Sequence, residues 1–327
     1  MVSAVIFVAT SCVSPLTGFA FWETNLAYEG ESIYNYLQVK NLSDRTILST
    51  NVLFGVQSVT MKDKGLTGMY YDTALAAPAL ADNANSALIL GMGTGTYARQ
   101  LKQYYPKMNI TGVEIDQKIT DLAGEYFDEP ADIPVTTYDG RAWLAASHDK
   151  YDVIMVDAYQ DITIPFQMSS TEFFTMVREH LNPGGVMVVN MNMISDGQGS
   201  INEALSDTIA SVFGNGNTLT ADVPNTTNRE LFAKKPGSGS EENSMQQASK
   251  ALNLRETTYE RTGSEDLEWY MEEVAFRFRK VNEPDSASTI LTDDKAPVEV
   301  LGMHAIDQII ADEAGLYRQI LKDEGFG

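Results

Sequence analysis

At 327 residues, with 43% apolar and 21% charged side chains, the chain has the composition of a folded protein with room for one sizeable α/β domain and a smaller companion. Its formal net charge of −22 argues against nucleic acid and anionic lipid surfaces as partners and favours small cations, although a soluble or salt-adapted surface is the plainer account. One cysteine, Cys12, excludes an intrachain disulfide, and three scattered histidines, His148, His180 and His304, lack ligand spacing, so no metal is expected.

The chain opens on Met1 to Phe21 without a charged side chain. Pro15 interrupts this stretch and no basic residues precede it, so a signal peptide fits poorly. Three readings stay open: the tail of a membrane segment, a short anchor through residues 1–21, or a buried strand and loop. From Ile33 to Met61 the runs IYNYLQVK, RTILST and VLFGVQSVTM, broken by Asn, Asp and Gly, predict a small antiparallel β unit. A helical stretch follows over about Tyr71–Leu80.

The rhythm then changes to alternating strands and helices, which predicts a parallel sheet covered by helices. Strands are expected at Ala87–Gly91, Asn109–Asp116, Ile133–Asp139, Tyr151–Tyr159 and Gly185–Asn192, with helices at TYARQLKQYY, Ile119–Phe127, STEFFTMVREHL and Asn202–Phe213. The third of these helices stops at Asn182-Pro183-Gly184-Gly185. TLTADV and ELFAKK bring the count to seven strands. The fold class is α/β: a Rossmann-like, seven-stranded sheet of the methyltransferase type, with a small N-terminal β unit and a helical C-terminal extension. PGSGSEEN reads as a surface loop, DLEWYMEEVAFRFRKV and HAIDQIIADEAGLYRQILK as helices, and STILTDDKAPVEVL lies between them. The expected divisions are an apolar segment 1–22, a β domain 23–70, a nucleoside-binding domain 71–235 and an extension 236–327.

Chemistry concentrates at the carboxyl ends of the predicted strands. Gly91-Met92-Gly93-Thr94-Gly95-Thr96 lies between a strand and a helix, where glycines let backbone approach a ligand beside the positive end of the helix dipole; a plain tight turn is the bland alternative. Glu114 ends the next strand, about 20 residues on, a position suited to ribose hydroxyls. Asp139-Gly140 ends the third strand, where a carboxylate could accept an adenine amino group, and Asp157 ends the fourth. Each acid alone reads equally as a surface residue or a helix cap. Together they line the edge where open α/β sheets bind ligands.

The run ALILGMGTGTYARQ, VEID, YDG and YDVIMVDAY resembles the spermidine-synthase family of polyamine aminopropyltransferases. The likeness extends upstream to Gln57 and Tyr70-Tyr71-Asp72, and downstream through NPGG and PNTTNRELFAKK. DAY…IPF and LTDDKAPVE look closer to spermidine-synthase-like domains fused behind membrane segments, which would make the apolar N-terminus the remnant of a membrane helix. The resemblance implies that Gln57, Gly91, Gly93, Thr94, Gly95, Glu114, Asp139 and Gly140 bind the nucleoside. It makes Asp157 the catalytic base and Tyr70 the tyrosine that helps position the amine, with Tyr71, Tyr159 and Asp161 near that amine. It also implies a cytoplasmic homodimer acting on a small-molecule amine, with no permanently bound cofactor. Decarboxylated or intact S-adenosylmethionine would be the co-substrate.

Three departures bear on substrate. Thr94 stands where the family's glycine loop carries an acid, which brings intact S-adenosylmethionine into play as donor. The family's Asp-Ser-Ser-Asp becomes Asp157-Ala158-Tyr159-Gln160-Asp161, and Tyr71 replaces a histidine. The competing readings are an S-adenosylmethionine-dependent methyltransferase and a non-catalytic nucleoside-binding domain.

Overall fold

The structure is a computed structural model, which describes residues 20, 23–51, 56–128, 130, 132–158, 164–192, 199–237, 244–286 and 288–304. The apolar segment therefore lies outside the described residues, apart from Ala20. So do Tyr159, Asp161 and the last expected helix beyond His304. Among the described residues no helix is long and apolar enough to cross a membrane.

Four antiparallel strands form the N-terminal unit: β1 (Leu26–Glu31), β2 (Tyr36–Asn41), β3 (Arg45–Thr50) and β4 (Ser58–Met61). The sequence reading missed β1, and the reason is physical. LAYEGE buries none of its residues and carries a glycine and a register irregularity, so it lacks the half-buried alternation that marks a strand.

The main sheet runs β12-β10-β11-β9-β8-β5-β6-β7. Its strands are β5 (Ser86–Leu90), β6 (Asn109–Glu114), β7 (Val135–Thr137), β8 (Tyr151–Val156), β9 (Leu181–Met191), β10 (Thr218–Asp222), β11 (Arg229–Lys234) and β12 (Phe278–Lys280). Strands β7, β6, β5, β8 and β9 are parallel, whereas β11, β10 and β12 are joined antiparallel. Among the described residues the expected seven strands become eight. Phe278–Lys280, read as the end of a helix, pairs instead with Thr218–Asp222 at the sheet's edge. The preceding helix stops at Arg277.

Strand β8, YDVIMV, is buried along its whole length, as a central parallel strand covered on both faces must be. Side chains alternate between two cores. Ile89, Met155, Val188 and Phe232 pack on one face beneath the helices Tyr70–Ala74, Ala76–Leu80 and Thr96–Tyr104. Leu88, Leu90, Val156 and Leu231 pack on the other, beneath Thr171–His180 and Ile201–Phe213. The chain runs from β5 toward β7 in one direction and from β8 toward β9 in the other. The crevice between the ends of β5 and β8 is thus a topological switch point, where such sheets bind ligands.

Candidate active site

A cavity of about 350 Å³ opens at that switch point. Its wall brings together Gln57 and Tyr70 from the N-terminal side, Gly93 after β5, Glu114 at the end of β6, Asp139 after β7 and Asp157 after β8. Gly91, Gly140 and Tyr71 also line it. The residues expected to share one cleft from their places at strand ends do share one.

Gly91 shows why the loop after β5 needs glycine. Its φ is +89°, and a Cβ there would lie 2.3 Å from the Asp157 carbonyl oxygen. The Asp157 N–H in turn donates to the Leu90 carbonyl at 2.9 Å, so the loop and the strand end that carries Asp157 abut. Thr94 and Gly95 are placed differently from Gly91 and Gly93: neither lines the cavity. The Thr94 N–H turns to Ser58 Oγ at 3.3 Å, and its buried hydroxyl has no hydrogen-bond partner. Gly95, at φ +81°, starts the helix Thr96–Tyr104.

Glu114 is buried and held at both oxygens: Oε2 accepts the Gly93 N–H at 2.8 Å and Oε1 the Asp116 N–H at 3.0 Å. Burial raises its pKa, while those two amides pull it back. Each oxygen keeps a lone pair for a hydroxyl. Asp139 is both site residue and helix cap, with Oδ1 accepting the Ala142 N–H at 2.7 Å. That helix, Gly140–Ala146, was not anticipated from sequence, although an Asp three residues before the amide it caps was the available signal.

At the other end of the cavity Asp157 accepts from Tyr70 Oη at 2.6 Å on Oδ2 and from Asn190 Nδ2 at 3.0 Å on Oδ1. Burial raises its pKa from 3.8 to about 7, the bonds from Tyr70 and Asn190 lower it, and the Glu114 charge raises it further. Burial beside Asp157 also pushes the Tyr70 hydroxyl well above the usual phenol range. Tyr71 stacks on Tyr70 with ring centroids 4.0 Å apart and gives its hydroxyl to the Gln57 carbonyl at 2.8 Å.

Two cavity residues and one buried acid beside them escaped the sequence reading. Asn190 bonds Asp157, and Asn228 Nδ2 donates to Asn190 Oδ1 at 2.9 Å, extending the polar chain. The amides of GVMVVNMN, polar residues in an apolar strand, were the usable clue. Glu230 is the third. It pairs across strands with Asn190, on the face that carries Val188 and Phe232. It is fully buried, and neither of its carboxyl oxygens has a hydrogen-bond partner. Burial, and then the Asp157 charge, push its pKa well above the carboxylate range. Among the described residues no three His, Cys, Asp or Glu side chains are grouped as a metal site would require.

A family profile described as the spermine/spermidine synthase domain matches residues 69–235. The chain is 99% identical over 327 residues to a Bifidobacterium longum (strain NCC 2705) protein named probable polyamine aminopropyl transferase, covering 100% of this chain and 73% of that one. Its fold resembles the crystal structure of a probable spermidine synthase from Corynebacterium glutamicum ATCC 13032, with a TM-score of 0.56 and 20% identity over 82% of this chain and 99% of that one. The fold of spermidine synthase from Thermotoga maritima is similar too, with a TM-score of 0.53 and 19% identity over 65% of this chain and 74% of the other. By the profile match and the near-identical relative, the chain belongs to the spermine/spermidine synthase family.

Proposed function

We propose that this cavity transfers an aminopropyl group from decarboxylated S-adenosylmethionine to a di- or polyamine, releasing methylthioadenosine. The observation that carries the reading is the place of Asp157: a buried carboxyl hydrogen-bonded to Tyr70 and Asn190, in the same cavity as Gly93, Glu114 and Asp139.

The amine nitrogen attacks the methylene carbon next to the sulfonium sulfur. The carbon–sulfur bond breaks, and its electron pair leaves with the neutral thioether. A primary amine of pKa near 10 is mostly protonated at neutral pH and cannot attack. In this reading Asp157 draws the ammonium in as its counter-ion and accepts the proton that the nitrogen must shed. A pKa of about 7 brings Asp157 nearer to the amine's own value than an ordinary aspartate, which favours that transfer. The sulfonium already activates the carbon, so the remaining task is to hold two reactants in line.

Glu114 would hold the ribose through its spare lone pairs, and Asp139 would meet the adenine through Oδ2, the oxygen not used as a helix cap. Gln57 and the Gly91–Gly93 backbone would flank the sulfonium arm. Glu230 stands two strands beyond Asp157 on the same face of the sheet, behind the cavity wall, where the Asp157 charge helps to raise its pKa. The strongly acidic chain adds a favourable field for a di- or polyamine. We place the domain in the cytoplasm as a homodimer by family resemblance; light scattering tests the dimer.

Product analysis tests the reaction. Incubation with decarboxylated S-adenosylmethionine and putrescine is expected to yield methylthioadenosine and spermidine. S-adenosylhomocysteine formed from intact S-adenosylmethionine would establish methyl transfer instead. Tight methylthioadenosine binding without either product would leave a nucleoside-binding domain.

A further inference from the structure

We propose that Asp293 is a positioning residue for the adenine end of the donor, acting through Arg141 from a segment more than a hundred residues downstream. The inference rests on the nucleoside reading above. It goes further in assigning a task to LTDDKAPVE, the sequence feature that the catalytic scheme leaves unused.

Residues 291–298 are anchored deep in the domain. Leu291 and Val298 are fully buried in the core under the helices Thr171–His180 and Ile201–Phe213. The Leu291 N–H donates to Thr208 Oγ1 at 2.9 Å, and its carbonyl accepts the Thr171 N–H at 2.9 Å. This fixes the turn, closed by a bridge between Thr292 and Lys295, and places Asp293 against Arg141.

Asp293 takes the Arg141 guanidinium as a fork, Nη1 to Oδ1 at 2.7 Å and Nη2 to Oδ2 at 2.5 Å. Its Oδ1 also accepts Ser170 Oγ at 2.5 Å, and its N–H donates to Glu172 Oε2 at 3.1 Å. Arg141 reaches further, donating from Nη1 to the Gln167 carbonyl at 2.7 Å. Three segments are thereby tied to one carboxylate: the start of helix Gly140–Ala146, the turn Phe166–Met168 and the cap of helix Thr171–His180. The first two supply Tyr138, Asp139, Gly140, Gln167 and Met168 to the cavity wall. The Met168 methyl lies 3.6 Å from where a Gly140 side chain would begin, so a shift of either segment moves the wall.

The pair is partly exposed, with 21% of the Arg141 side chain and 41% of Asp293 open to solvent. Exposed pairs contribute little to global stability, so its removal acts locally. The fork geometry is specific to a guanidinium, and lysine in its place would keep the charge but release one of the segments.

The test is calorimetric titration with methylthioadenosine, which needs no turnover, together with steady-state kinetics and thermal unfolding. For Asp293→Asn we expect donor KM and the methylthioadenosine Kd to rise roughly tenfold, the order expected of a small misplacement of binding groups. Acceptor KM, kcat at saturating donor and Tm should stay close to the unaltered chain. Arg141→Lys should match it, and the double variant should be no weaker than either single one, because both cut the same link. Equal nucleoside affinity in Asp293→Asn would overturn this inference alone. So would a parallel fall in Tm, kcat and both affinities, which marks a merely structural residue. No uptake of methylthioadenosine by the unaltered chain would overturn the nucleoside reading itself.

Discussion

The cavity's two ends use the same functional group in opposite ways. At the end built by Gly93, Glu114 and Asp139 the carboxylates are already engaged: Glu114 accepts two backbone amides and Asp139 caps a helix. They are fixed acceptors, held in place before any ligand arrives. At the end built by Asp157 and Asn190 burial outweighs hydrogen bonding by more than it does at Glu114, so Asp157 is raised to about 7, and across the strand from Asn190 the buried Glu230 carboxyl accepts no hydrogen bond. In the proposed reaction the engaged carboxyls position the nucleoside, and the desolvated Asp157, its pKa lifted toward neutrality, takes the proton. The residue type is shared, and the surroundings decide the task.

The contrast breaks most sharply at Asp157. Asp157→Asn is expected to lower turnover about 100-fold or more while methylthioadenosine affinity in titration holds, because the base is lost and the nucleoside end is not. The same variant should alter stability. Folded Asp157 holds its proton between about pH 4 and 7, where an unfolded aspartate does not, so this group's contribution makes stability fall as pH rises across that window. Thermal unfolding of Asp157→Asn should lack that decline and gain most, relative to the unaltered chain, at pH 8.

Glu114→Ala attacks the opposite end. It removes the tether on the Gly93 amide as well as the ribose acceptor, and the methylthioadenosine Kd should rise about 10- to 100-fold. Turnover at saturating donor should change far less, and equal losses in both would dissolve the distinction between the two ends. Tyr70→Phe gives a smaller and more diagnostic effect. It deletes a hydrogen bond that lowers the Asp157 pKa, so the acidic limb of the pH–rate profile should move to higher pH. Roughly three- to tenfold loss at pH 7, recovered toward pH 9, is the expected pattern. The smallest effect belongs to Thr94→Val, which removes a buried hydroxyl that bonds nothing. Donor affinity and stability should stay within about 1 kcal/mol of the unaltered chain. A large loss of affinity would return Thr94 to the donor site.

What could be read from sequence follows the same division. Gly91, Glu114, Asp139 and Asp157 each follow an apolar run and so sit at a strand end, a place that local pattern reveals. Asn190 and Glu230 sit inside strands, and their meeting depends on the antiparallel pairing of β9 with β11, a register set by tertiary packing. Asp293 was visible only as part of a phrase, since its partner Arg141 lies 152 positions away. The eighth strand was hidden for another reason: DLEWYMEEVAFRFRKV keeps a helical mixture of apolar and charged residues through Arg277, and only the partner strand draws Phe278–Lys280 into the sheet. Thr94 was placed in the site by its loop, but Ser58 of the N-terminal unit claims its amide.

The contact between Gly91 and the Asp157 carbonyl carries one more consequence. Any side chain at position 91 would push against the backbone that bears Asp157, so the glycine loop and the proposed base cannot drift independently. Change in substrate range has to enter elsewhere, through wall residues such as Tyr138, Gln167 and Met168 and the Arg141–Asp293 pair that ties their segments. The reacting centre behaves as a fixed joint with adjustable surroundings.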